Sequence, residues 1–311
     1  MLRFLILLFS VGHTALHAQN TQVAFTIKEK DLIPEGITYD PITQNFFVGS
    51  IHKKKVVGID HKGKVTDYIS SGQDGIGEVL GMHVDAKRRH LWICSNEGEN
   101  LPGGKSMVHQ YNLESGNLIK KYEWAVAEEI HLFNDLVVTE SGEVFVTDSD
   151  FSSIFRIDPS TETIAPLIKS DNLRYCNGIA TTPNKDKIVV STARGLTIVD
   201  ILTKEIARID LQGYLSIADG LYHYENSLIA IQNIFFPVAI VQFNLNPSFN
   251  ALESANALVA DHPNFDIPTT GVVVGNWFYF VANSQLLARA EGQIKSPKDL
   301  KDVTIMKVRL Q

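Results

Sequence analysis

The chain has 311 residues, an apolar content of 44% and a formal net charge of -7. This length allows a single large domain. The acidic balance argues against a nucleic acid partner, because contacts to phosphates need a basic surface, and the cluster Lys53 to Lys55 is short enough to be a hairpin tip.

The first residues have the layout of a secretory signal peptide. Arg3 precedes the apolar run Phe4 to Phe9, and small residues lead to Ala18. A membrane anchor is the alternative, but the apolar run is far shorter than the about 20 residues that a membrane-spanning helix needs, and no later stretch is long enough. We therefore predict a signal peptide over 1–18, a single domain over 19–311, and export to the periplasm or the cell exterior.

After a predicted strand over Gln22–Lys28, one pattern recurs six times. Each copy has a leading residue, a short apolar run and then, within about a dozen residues, a β-rich run, which is typical of paired strands. The leading residues are Glu35, Leu80, Asn134, Asn177, Asp219 and Thr270. Their separations of 42 to 54 residues are in the range of one four-stranded propeller blade. The pattern predicts an all-β, six-bladed propeller.

The last copy is one strand short. It contains the runs Trp277 to Ala282 and Val303 to Leu310, whereas the N-terminal strand Gln22–Lys28 has no blade of its own. Pairing the two ends would close the ring and cover an edge that is otherwise free to aggregate. We therefore expect the N-terminal strand to complete the last blade.

The two cysteines, Cys94 and Cys176, fall in different predicted blades. A disulfide is possible in an exported protein, but distant blades favour two buried free thiols. Neither cysteine has the spacing of a metal site.

Four of the leading residues carry oxygen ligands. Because each precedes an innermost strand, Glu35, Asn134, Asn177 and Asp219 are expected to converge at one mouth of the central channel. Carboxylate and amide oxygens suit Ca²⁺, and carboxylates at a buried mouth are costly unless they are paired or metal-bound. The alternative is that Asn-Gly and Asp-Gly only form turns. We predict one bound Ca²⁺, or another divalent ion such as Zn²⁺, Mn²⁺ or Mg²⁺.

Further polar residues lie close to the predicted mouth. Asp148, Asn233 and Ser284 end or follow predicted second strands, and His131 precedes the third leading residue. Together with Asn134 they are candidates for substrate binding. The alternatives are partners that orient the metal ligands, caps of strands and, for His131, an ordinary packed histidine.

The motifs Pro34-Glu35-Gly36, Phe133-Asn134-Asp135, Cys176-Asn177-Gly178 and Ala218-Asp219-Gly220 resemble the family of senescence marker protein, gluconolactonase and luciferin-regenerating enzyme, across essentially the whole mature chain. The resemblance implies a six-bladed propeller that holds a divalent ion in its channel, and in many members hydrolysis of lactones or esters. It also implies that Glu35, Asn177 and Asp219 ligate the metal, that Asn134 ligates it or reaches the metal and the substrate, and that Asp219 is the general base.

Two positions depart from the sugar lactonases of that family. Leu132 stands where they usually have Arg, and Leu136 stands where Gly commonly follows Asn-Asp. A hydrophilic sugar acid is therefore disfavoured as the substrate. The related paraoxonases use a His pair in the pocket, for which His131 is the nearest candidate in sequence.

Three hypotheses follow for the function. The first is an exported, metal-dependent hydrolase of a small-molecule lactone or related ester. The second is a non-catalytic propeller with a structural metal, which binds a small molecule or a protein partner, because propellers serve many functions. The third is hydrolysis of phosphotriesters by the same metal geometry.

Overall fold

The computed structural model describes residues 21–98, 101–214, 216–290 and 292–311. The predicted signal peptide over 1–18 lies outside these residues. The regular structure of the described part is almost entirely strands, with short 3₁₀ helices at Lys30–Leu32, Gln73–Gly75, Asp171–Leu173, Leu286–Ala288 and Pro297–Asp299. None of the helices in this part of the chain has the length and apolar character to span a membrane.

The strands form six four-stranded antiparallel sheets and one small hairpin. Blade 1 contains β2 (Pro34–Asp40), β3 (Asn45–Ser50), β4 (Lys55–Ile59) and β5 (Val65–Ile69). Blade 2 contains β6 (Glu78–Asp85), β7 (His90–Glu97), β8 (Lys105–Asn112) and β9 (Leu118–Trp124). Blade 3 contains β10 (Phe133–Val138), β11 (Val144–Asp148), β12 (Ser153–Asp158) and β13 (Thr163–Lys169). Blade 4 contains β14 (Ile179–Thr181), β15 (Lys187–Thr192), β16 (Gly195–Asp200) and β17 (Ile206–Arg208); blade 5 contains β18 (Leu221–Tyr224), β19 (Ser227–Gln232), β20 (Ala239–Leu245) and β21 (Leu252–Ala260). Blade 6 contains β22 (Gly271–Val274), β23 (Trp277–Val281), β26 (Val303–Arg309) and β1 (Thr21–Ile27), and the hairpin is β24 (Arg289–Ala290) with β25 (Gln293–Ile294). The predicted six-bladed propeller is confirmed.

The N-terminal strand closes the ring as predicted. β1 pairs antiparallel with β26, from Thr21 opposite Val308 to Ile27 opposite Val303. Ile27 is 1% exposed and packs in a cluster with Val303 and Ile305. The outer edge of β26 is therefore covered by the start of the chain, which joins the two ends of the fold.

The six repeats share one pairing position. The residue two positions after each leading residue pairs with the second strand of its blade, in the pairs Ile37 with Val48, Met82 with Ile93, Leu136 with Val146, Ile179 with Val190, Leu221 with Ala230 and Val272 with Tyr279. The first strands of neighbouring blades contact one another all around the ring, so they are the innermost strands. The leading residues consequently lie at one end of the channel, which we call the mouth.

At Gly36 and Gly178, the neighbouring blade approaches too closely for a side chain on the residue after the leading one. A Cβ on Gly36 would lie 2.2 Å from the carbonyl oxygen of Leu80, and a Cβ on Gly178 would lie 2.3 Å from that of Asp219. Neither glycine has a positive φ. The alternative that Asn-Gly only forms a turn does not hold at Gly178, and both glycines allow the innermost strands to pack around a narrow channel.

Apolar side chains fill the six interfaces between blades, with one cluster at each interface. Cys94 belongs to the cluster between blades 2 and 3, and Cys176 belongs to the one between blades 3 and 4. Both are free and buried, which confirms the prediction for the thiols.

Truncation of Ile27 tests whether the closing strand stabilises the ring. We expect Ile27→Ala to lower the free energy of unfolding by about 2–4 kcal/mol, because it leaves a cavity in the apolar cluster between blade 6 and blade 1. Val23→Ala is the matched control, since Val23 lies on the same strand but is 48% exposed, and it should cost less than about 0.5 kcal/mol. Urea unfolding measures both, and equal small losses would show that closure contributes little.

Candidate metal centre and catalytic carboxylate

Asp219 is held at the mouth by two amide side chains. Its Oδ1 accepts a hydrogen bond from Asn177 Nδ2 at 3.0 Å, and its Oδ2 accepts one from Asn233 Nδ2 at 2.6 Å. Asn233 Nδ2 also lies 2.9 Å from the carbonyl oxygen of Pro268. The structure thus brings three predicted site residues together, and both oxygens of the carboxylate have a fixed direction.

Burial dominates the electrostatics of Asp219. The residue is 8% exposed, and the loss of hydration raises the pKa of its carboxyl to about 6, although the two amide hydrogen bonds act in the opposite direction. A carboxylate with this environment takes up a proton more readily than an exposed one. It also gains more than an exposed one from a nearby cation.

Asn134 is linked to the same group of residues through Ser149. Its Nδ2 donates to Ser149 Oγ at 3.0 Å, and Ser149 Oγ donates to the carbonyl oxygen of Cys176 at 2.6 Å. Cys176 immediately precedes Asn177. One serine therefore connects the amide from blade 3 with the chain segment that carries the amide of blade 4.

Glu35 is buried, and the loop before blade 6 holds its backbone. The carbonyl oxygen of Glu35 accepts hydrogen bonds from the hydroxyl groups of Thr269 and Thr270. The carbonyl oxygen of Thr269 in turn accepts a hydrogen bond from the N–H of Gly220 at 3.0 Å. The backbones next to both carboxylates are thus joined through Thr269, across blades 5, 6 and 1.

The strand register shifts at the leading position in the first three blades. The shifts fall between Pro34 and Ile37, between Val79 and Met82, and between Phe133 and Leu136. Such a bulge changes the direction of a side chain relative to a regular strand. Sequence alternation alone could not therefore predict where Glu35 and Asn134 point.

Asp135 is a buried carboxyl to which the sequence analysis gave no role. It lines a channel cavity of about 550 Å³ that extends from this layer along the innermost strands. Its oxygens accept hydrogen bonds from Leu136 N at 2.9 Å and Ile179 N at 3.4 Å. Burial, with a smaller contribution from the charge of Asp219, raises the pKa of Asp135 to about 7. The sequence could have singled out Asp135, because this residue occupies the position where the other five repeats have glycine.

His131 and Asp148 form a buried pair. His131 Nδ1 lies 2.6 Å from Asp148 Oδ2, and His131 Nε2 lies 3.0 Å from Glu129 Oε2. The other oxygen of Asp148 accepts hydrogen bonds from Leu132 N and Phe151 N. The side chains of His131 and Asp148 are both 0% exposed, so the contacts that the structure gives them fix the segment before Asn134.

Ser284 also has a structural contact. It is buried, and its hydroxyl donates to the carbonyl oxygen of Ile267 at 2.7 Å. Of the five residues predicted to bind substrate, Asn134 and Asn233 belong to the group around Asp219. His131, Asp148 and Ser284 are packed into the protein with no comparable contact to that carboxylate.

The donor atoms at the mouth fit a hard cation. Within the described ranges, no three His, Cys, Asp or Glu side chains form a cluster that could hold a metal, so an ion at the mouth would need the amide oxygens. The nitrogens of Asn134 and Asn177 are both directed at protein acceptors. Each amide thereby leaves its carbonyl oxygen for a ligand, and two such oxygens with two carboxylates are the donors that Ca²⁺ prefers over softer metals.

No protein-family model and no curated protein matches the chain. Solved structures do match it. A gluconolactonase from Xanthomonas campestris has 14% identity and a TM-score of 0.63, with coverage of 96% of this chain and 93% of that one. A luciferin-regenerating enzyme has 12% identity and a TM-score of 0.60, with coverage of 93% and 94%. A virginiamycin B lyase from Staphylococcus aureus has 13% identity and a TM-score of 0.63, with coverage of 94% and 100%.

At these identities the likeness shows the fold alone. It confirms the predicted resemblance to the propellers of gluconolactonases and luciferin-regenerating enzyme. The match to a lyase at the same TM-score means that the choice among functions depends on the residues at the mouth.

The His131–Asp148 pair should make stability depend on pH. Burial lowers the pKa of His131, but its interactions with Asp148 and Glu129 outweigh burial and leave the pKa above its ordinary value. A raised folded-state pKa gives a stabilisation that is complete below the unfolded pKa of about 6.5 and is lost as the pH rises through the folded pKa. The stability difference between wild type and His131→Asn should therefore be larger at pH 5.5 than at pH 8.5 in urea unfolding.

His61→Asn provides the control for that measurement, because His61 is an exposed turn residue. Its effect on the unfolding free energy sets the background at each pH. A His131→Asn difference that is constant across the range would contradict a charged pair.

Proposed function

We propose that the protein is an exported hydrolase that opens a lactone or a related ester with the help of a bound divalent cation, Ca²⁺ in the first instance. The observation that carries the proposal is the buried Asp219 carboxylate, fixed at the channel mouth by Asn177 and Asn233 at 3.0 and 2.6 Å. Export is supported by the signal-like layout of residues 1–18.

The ion would be held by Glu35, Asn134, Asn177 and Asp219. Two carboxylates offset its charge, and two amide oxygens complete a set of hard donors. The chemistry that such an ion supplies when bound is Lewis-acid polarisation of the ester carbonyl. The carboxyl of Asp135 adds negative charge next to this layer, so a cation at the mouth would also offset the repulsion between Asp135 and Asp219.

Asp219 would act as the general base. Its carboxylate removes a proton from a water molecule, the water oxygen bonds to the carbonyl carbon, and the bond from that carbon to the ring oxygen breaks. The proton then passes from Asp219 to the departing alkoxide, which yields the hydroxy acid. Asn177 and Asn233 contribute by preventing rotation of the carboxylate between the two transfers.

Replacement of Asp219 tests the assignment of the base. Asp219→Asn preserves the size of the side chain but removes the proton acceptor and one negative charge, so we expect kcat to fall at least about 100-fold, a typical contribution of general-base catalysis. Activity should be followed by acid release from a panel of lactones, aryl esters and phosphotriesters. Full activity in this variant would refute the role of Asp219.

Asp261→Asn is the matched control for that substitution. Asp261 lies in an exposed connection at the same face with φ of 48°, a conformation that Asn also tolerates. It should retain wild-type turnover and unfolding free energy.

Removal of the ion tests the metal. We expect EDTA to abolish turnover and excess Ca²⁺ to restore it. Glu35→Gln should raise the Ca²⁺ concentration needed for half activity by about tenfold or more, since it removes one of two charged donors. Glu205→Gln, at an exposed far-side turn, is the control. Turnover unaffected by chelator would exclude the metal-dependent mechanism, and metal binding without turnover on the whole panel would favour a non-catalytic propeller.

A further inference from the structure

Exposed large hydrophobic side chains concentrate at the mouth. Within the described ranges, eight of the twelve such residues lie in connections that end at the mouth, whereas two, Ile42 and Leu202, lie in turns at the far end. Single exposed hydrophobic residues are normal on a protein surface. Their accumulation around one end of the channel is the feature that needs an explanation.

Three of these residues lie on the segments that hold Asp219. Ile234, which is 66% exposed, directly follows Asn233, and Phe236, which is 84% exposed, comes two residues later. Tyr175, which is 58% exposed, stands two residues before Asn177. Since Asn233 and Asn177 donate hydrogen bonds to the two oxygens of Asp219, the segments of blades 5 and 4 that hold the carboxylate also carry exposed apolar side chains.

Blade 3 also has an apolar residue close in sequence to this group. Leu132 is half-buried and stands two residues before Asn134, whose amide is linked through Ser149 to the segment of Asn177. The amide nitrogens of Asn134, Asn177 and Asn233 already donate to protein acceptors. Substrate hydroxyl groups that lie against these apolar side chains would lose hydration without gaining a hydrogen bond, at a cost in desolvation.

We propose that Tyr175, Ile234 and Phe236 receive an apolar alkyl or aryl substituent of the substrate, so that the enzyme acts on apolar lactones or esters and discriminates against polyhydroxylated ones. The inference rests on the proposed function, because it concerns the same carboxylate. Its physical basis is the removal of apolar surface from water on both the substrate and the three side chains. At full burial this corresponds to about a fourfold gain in kcat/KM per methylene group. At an open mouth we expect about half of that free energy, which corresponds to about a twofold gain in kcat/KM per methylene group.

The test is a homologous series of γ-lactones that carry alkyl chains of zero to six carbons, with glucono-1,5-lactone as the polyhydroxylated comparison. We expect kcat/KM of the wild type to rise about twofold per added methylene and to exceed that for the sugar lactone. In the double variant Ile234→Ser with Phe236→Ser, the dependence on chain length should flatten.

The matched control is the double variant Ile42→Ser with Leu202→Ser. Ile42 is exposed to the same fraction as Ile234, 66%, and Leu202 is 71% exposed, but both lie at the far end. This variant should keep the wild-type dependence on chain length. Urea unfolding of both double variants checks that neither loses the fold.

The outcomes separate the inference from the proposed function. Hydrolysis with no dependence on chain length, an equal dependence in both double variants, or a preference for the sugar lactone would overturn the inference and leave the hydrolase standing. If no lactone or ester is hydrolysed, both fall. Sedimentation with phosphatidylcholine vesicles is the further control: loss of vesicle binding in the mouth variant, with its chain-length dependence intact, would make these residues a lipid-binding surface and overturn the proposal.

Discussion

The close approach of the six innermost strands is the constraint on which the rest of the molecule depends. At Gly36 and Gly178 the carbonyl oxygen of the next blade's leading residue occupies the space that a Cβ would need, at 2.2 and 2.3 Å. An alanine at either position would have to push two blades apart, because the obstacle is backbone and cannot rotate away. The narrow channel that results is what allows Asn177 of one blade to contact Asp219 of the next.

Blade 3 differs from blades 1 and 4 at the corresponding position, and the difference has an electrostatic consequence. Asp135 stands in place of glycine, and its carboxyl crosses to the N–H of Ile179 in blade 4. The interface therefore exchanges a close backbone contact for a buried charge near Asp219. Two carboxyls of raised pKa in one channel cost free energy as anions, and a divalent cation at the mouth would lower that cost for both.

The sequence was sufficient for the fold because each blade repeats the same local information. A leading residue and apolar runs recur six times, a glycine follows the leading residue in five of the six copies, and the missing strand of blade 6 points to β1. The positions of individual side chains were less predictable. Asp148 is the last residue of β11 and contacts His131, whereas Asn233 directly follows β19 and contacts Asp219. The difference arises from loop paths and from register shifts such as that between Phe133 and Leu136, which residue type alone does not encode.

The fold cannot select among the functions, because a gluconolactonase and a lyase match it equally well, each at a TM-score of 0.63. Selection has to come from what the chain places at the mouth. There the segments that contain Asn177 and Asn233 each carry an amide on Asp219 and an exposed apolar side chain within three residues of it. Under the proposed function, reactivity and substrate preference are coupled through two short connections on adjacent blades, so a change in either connection that improves the fit of a substituent would also risk displacing the carboxylate.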